Sequence, residues 1–94
     1  MIFINIFPIA EYELIAEKKG CKGNYTWGGN LLSLNACGTA CEKNSLVFGF
    51  GRKDGERVGH CWCYTDSLDG KCSKGEKDEE NYDIYLIKRE WNIL

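Results

Sequence analysis

The chain has 94 residues, 44% of them hydrophobic, and a formal net charge of −2; it is one domain's worth of sequence, and at this size an apolar core alone would bury only about 60 to 65% of the unfolded surface and be marginal. The near-neutral balance and the lack of a basic run remove the electrostatic footprint that nucleic-acid binding requires, and no stretch approaches the roughly 18 apolar residues of a membrane span. Six cysteines supply what the core lacks: an even count in a small domain argues for disulfides, and hence for an oxidising, secreted or extracellular setting.

Residues 1–10 are apolar apart from Asn5 and contain Pro8, but they carry no positive leader. They are read as a truncated signal, an added strand or a disordered terminus, since a short apolar run has no diagnostic period. Over residues 11–17, Tyr12, Leu14 and Ala16 alternate with Glu11, Glu13 and Glu17, the period of a half-buried strand, interrupted at Ile15. Lys18-Lys19-Gly20 turns the chain into Cys21. Residues 22–30, rich in Gly and Asn, then read as an exposed loop. That loop holds Asn24-Tyr25-Thr26, an N-glycosylation acceptor of a kind that is useful only on the surface of a secreted chain.

Ser33 is placed to cap a helix that starts at Leu34 and ends near Asn44, with Leu34, Cys37 and Cys41 at helical spacing. Gly38 inside it costs about 1 kcal/mol relative to Ala, and permits close approach to a sheet. Leu46, Phe48 and Phe50 then lie on one face of a second strand. Asp54-Gly55 signals a hairpin into a third strand over residues 58–64, with Cys61 and Cys63 on one face and His60, Trp62 and Tyr64 on the other. Residues 65–81, including the charged run 74–80, read as a solvated loop pinned by Cys72. Residues 82–88 are apolar on both faces, as a central strand covered on two sides requires, and residues 89–94 read as a tail.

The cysteine spacings are mutually compatible. Residues four apart on a helix lie about 6 Å apart on one face, and residues two apart on a strand about 6.5 to 7 Å apart. Two parallel disulfides can therefore rivet a helix bearing Cys37 and Cys41 to a strand bearing Cys61 and Cys63. Which helix cysteine meets which strand cysteine depends on the relative direction of the two elements, and both pairings stay open. The expected fold class is α+β: a small disulfide-rich domain with a curved antiparallel sheet of four to five strands and one short helix packed on it.

The segments Ser33-Leu34-Asn35-Ala36-Cys37-Gly38-Thr39-Ala40-Cys41, Leu46-Val47-Phe48-Gly49-Phe50-Gly51, His60-Cys61-Trp62-Cys63-Tyr64 and Tyr82-Asp83-Ile84-Tyr85, in that order over residues 11–88, resemble the PAN/apple superfamily of extracellular modules. The resemblance implies a non-catalytic recognition or adhesion domain that binds protein or carbohydrate. It also implies a nested pairing, Cys37 with Cys63, Cys41 with Cys61 and Cys21 with Cys72. Many members carry a further cysteine where this chain has Ser45.

Two other readings use the same residues. A zinc-binding structural domain would draw on Cys37, Cys41, Cys61, Cys63 and His60, but leaves Cys21 and Cys72 over. A secreted cysteine-stabilised toxin-like or defence peptide shares the two cysteine spacings but not their order, and its usual basic character is missing here. No Cys-x-x-Cys and no visible acid–base pair points to catalysis, and no cofactor is implied. Exposed aromatics are the usual anchors of recognition. Trp27, Trp62 and Tyr64, with Arg52 and Arg57 from the hairpin, are therefore the candidate binding residues, although Trp62 and Tyr64 would equally suit a second core. The sequence identifies neither a specific partner nor an oligomeric state.

Overall fold

A computed structural model describes residues 6–65, 72 and 75–93, with side chains described over 11–65, 72 and 75–88. Its elements run β1 (Ile6–Gly20), β2 (Tyr25–Asn30), α1 (Leu34–Cys41), β3 (Val47–Gly51), β4 (His60–Tyr64) and β5 (Lys77–Ile93). The strands form one five-stranded sheet in the order β1-β5-β3-β4-β2, every neighbouring pair antiparallel. The expected α+β class, a small disulfide-rich domain with one helix, is the observed one.

The helix forms where its cap directs. The Ser33 hydroxyl accepts the Ala36 N–H at 3.1 Å, satisfying one of the orphan donors of the first turn, and the Glu42 N–H closes the last turn on the Gly38 carbonyl. The buried stripe of α1 is Cys37, Gly38 and Cys41. A Cβ at Gly38 would run into the Tyr12 ring. The helix backbone thus rests directly on a side chain of β1, which is why the propensity cost of glycine is tolerated there.

Each face of the sheet carries its own small core. On the helix side, Cys37, Cys41, Phe48, Cys61, Cys63 and Ile87 are buried, with Tyr12, Leu34, Phe50 and Tyr85 packed around them. On the opposite side lie Cys21, Val47, Tyr64, Cys72 and Ile84, flanked by Ile15, Leu46, Trp62 and Leu86. The interior strand β5 feeds both, through Ile84 and Leu86 on one side and Tyr85 and Ile87 on the other, as its two-sided apolar pattern requires.

The bridges differ from the pairing that the resemblance implies. Cys37 joins Cys61 and Cys41 joins Cys63, with Cα separations of 5.5 and 5.2 Å; the third bridge, Cys21–Cys72, is as expected. The reason is directional. Cys37 precedes Cys41 along the helix as Cys61 precedes Cys63 along β4, so helix and strand cross their bridges in the same sense, whereas the nested alternative needs opposite senses.

Four further expectations change. Residues 25–30 are not loop but an edge strand, paired to β4 with an irregularity between Trp27 and Gly29. The backbone of residues 6–10 continues β1 and pairs with that of residues 89–93, which continues β5, so the first and last boundaries expected from sequence fall inside a ribbon. Residues 77–80 of the charged run begin β5 instead of belonging to a loop, with Lys19 ion-paired to Asp78 across the strands. Leu46 lies before β3 and packs with the core opposite the helix, not beside Phe48. The interruption at Ile15 corresponds to a register shift between Leu14 and Ala16.

Candidate functional site

The face of the sheet away from the helix carries an aromatic groove whose geometry follows from strand alternation. On β4, Trp62 and Tyr64 point opposite to Cys61 and Cys63. On β2, Tyr25 stands directly across from Tyr64, and Trp27 from Trp62. The rings cluster closely: Trp27 and Trp62 have centroids 4.6 Å apart, Tyr25 and Trp62 5.0 Å, and Trp27 and His60 5.1 Å, all edge-to-face, the arrangement that ring quadrupoles favour.

Strand β3 makes the floor. Its Phe48-Gly49-Phe50-Gly51 run sends phenylalanine to the helix side and nothing to the groove side. A Cβ at Gly49 would lie 3.1 Å from the Tyr64 hydroxyl, and Gly49 pairs with Trp62 on one flank and Ile84 on the other. Over this bare strip the Trp62 indole N–H reaches the Tyr82 hydroxyl of β5 at 3.0 Å, spanning two strand spacings. That bond fixes the orientation of the Trp62 ring.

The groove encloses about 630 Å3, within the roughly 300–1,000 Å3 typical of small-molecule sites. Tyr25 and Trp27 remain 52% and 49% exposed, while Tyr64 at the floor is 5% exposed. Arg57, His60, Lys77, Glu79 and Asn81 supply its polar margin. Lys77 and Glu79 pair with one another at 3.3 Å; Arg57 makes no ion pair among the described residues.

Four of the five candidate binding residues therefore meet at one site: Trp27, Arg57, Trp62 and Tyr64. They divide by burial, Tyr64 belonging to the second core and Trp62 half-buried above it. Arg52 is elsewhere. It lines a separate, open cavity with Leu32, Phe50 and Tyr85, where its guanidinium donates to Asp54 at 2.9 Å and also to Asp83. The Arg52 partner holds the Asp54 carboxyl below its ordinary range, so this cation is already matched. Asn24 is exposed at the start of β2, with its carbonyl accepting the Thr65 N–H at 3.1 Å. Tyr25, His60 and Tyr82, and the glycine floor, complete the groove without having been candidates. The Phe-Gly-Phe-Gly alternation was the available signal for that floor.

All six cysteines are covalently paired. A zinc site would need them as thiolates, and His60 lies edge-to-face with Trp27 on the face away from the helix-side sulfurs. Burial pushes the Tyr64 hydroxyl up to about 12 from 10.0, opposed by a backbone hydrogen bond at Cys21. The unfolded chain ionises first. This contribution to stability is therefore complete below about pH 10 and is lost as pH rises toward 12, by roughly 2 to 3 kcal/mol. Tyrosinate absorbance after a rapid pH jump should lose its latest-titrating tyrosine in Tyr64→Phe, with Tyr85, whose hydroxyl burial also raises, left in place; loss of an early-titrating one instead would contradict the burial.

Compared with known proteins, the chain matches no family model, no curated protein and no solved structure.

Proposed function

We propose that this chain is a non-catalytic extracellular recognition module, of the PAN/apple kind, that binds saccharide in the aromatic groove. The observation that carries the reading is the pair of half-exposed rings, Tyr25 and Trp27, gathered around an oriented Trp62 and bordered by Arg57 and Asn81. Rings presented edge and face, with hydrogen-bonding groups at the margin, suit a ligand that has apolar C–H faces and hydroxyl edges. Residues that serve neither core would have no reason to expose so much aromatic surface on a rigid sheet. Three disulfides and the Asn24 acceptor fit an oxidising, glycosylating route to the cell exterior.

The test is intrinsic tryptophan fluorescence titrated with neutral and acidic oligosaccharides. Trp27→Ala should weaken binding at least tenfold, as removal of a central aromatic anchor does, while leaving the chain folded because Trp27 belongs to neither core. Undiminished affinity in that variant, or capture of a protein ligand with no saccharide binding, would overturn the reading.

A further inference from the structure

We infer that the groove selects a carboxylate-bearing saccharide, with Arg57 receiving the carboxylate while the sugar ring packs against Trp27 and Trp62. The inference rests on the saccharide reading and narrows it.

The argument is one of hydrogen-bonding balance. The Trp62 N–H is already used on Tyr82, whereas the Trp27 indole N–H meets no acceptor among the described residues, and an indole nitrogen can only donate. Asn81 Oδ1 is used by the Glu56 N–H at 3.1 Å, so this side chain offers its amide N–H groups to the groove. The Tyr82 hydroxyl, having accepted from Trp62, keeps a proton to donate. Arg57 adds a fork of donors and no acceptor. The one carboxylate at the margin, Glu79, is engaged by Lys77 at 3.3 Å. What remains unmet among the described residues is an excess of donors with one unpaired positive charge.

A ligand that answers this must be rich in acceptors and carry negative charge. A carboxylate matches the planar guanidinium in a two-point arrangement that a neutral hydroxyl does not reproduce. Arg52, the other arginine of the same turn, provides a contrast: its guanidinium is neutralised by Asp54 and Asp83. The chain as a whole carries a formal charge of −2, so attraction of an anion here is local to Arg57 and not a property of the whole surface.

The experiment uses oligosaccharides containing glucuronate, galacturonate, mannuronate or sialate, each paired with its carboxyl-reduced neutral form, titrated against the intact oxidised chain and against Arg57→Gln and Arg52→Gln. At least one acidic member should bind, and reduction of its carboxyl should weaken it roughly ten- to hundredfold. Arg57→Gln should abolish that difference, and Arg52→Gln should preserve it. Equal binding of acidic and neutral forms that is still lost in Trp27→Ala would overturn the carboxylate assignment and leave saccharide recognition standing. No binding of either form would overturn both. A preference that survives Arg57→Gln would also refute the role given to this residue.

Discussion

Alanine at both Cys21 and Cys72 should lower the unfolding free energy by roughly 3 to 4 kcal/mol, more than removal of either helix bridge. The bridge spans 51 residues, but the two inner bridges shorten the loop that it closes in the unfolded chain by about half; the chain-entropy relation then gives this range. Removing Cys37–Cys61 alone should cost less, about 2 kcal/mol, because Cys41–Cys63 still ties the same helix to the same strand. Denaturant unfolding of the two double variants under non-reducing conditions gives the order directly. A larger loss from the single helix bridge would mean that the inner bridges act independently, contrary to their shared elements.

Phe48→Ala should be comparably severe, about 3 to 5 kcal/mol. Phe48 is the largest fully buried side chain among the described residues, edge-on to Tyr12 and stacked on Tyr85 with both centroid distances 5.5 Å. The buried neighbours in its cluster include Cys37, Cys41, Cys61 and Cys63, whose bridges hold the walls apart and prevent collapse into the gap. The upper part of the range is therefore expected. Phe48→Leu, which keeps much of the volume, should cost markedly less. Chemical denaturation that separates the two variants by under 1 kcal/mol, taking about that as the resolution of such measurements, would show that this core relaxes freely.

Much of the scaffold was legible because local signals and tertiary demands agree. Ser33 caps the helix where expected, and the alternation through Phe48, Phe50, Cys61 and Cys63 assigns β3 and β4 to the correct faces. Strand β2 was not legible: Gly28-Gly29-Asn30 has the composition of a loop, and only the cross-strand pairs Tyr25 with Tyr64 and Trp27 with Trp62 make it a strand. The direction of the helix relative to β4 is likewise a tertiary property, so the bridge connectivity escaped local reading. Three of the groove's aromatic partners were missed for a related reason. Tyr82 joins Trp62 only across the bare Gly49 position of β3, and the significance of Gly49 appears only when both flanking strands are known.

Strand β4 presents two bridged cysteines on one surface and Trp62 and Tyr64 on the other. The bridges fix the backbone of β4, while core packing of Tyr64 and the Tyr82 hydrogen bond hold the rings, so association with a ligand at this face should proceed with little further ordering cost. If the groove binds as proposed, redox state would set affinity as well as folding: cleaving sulfur–sulfur bonds on the far side of the sheet should loosen the grip on the near side, without altering a single atom that touches the ligand.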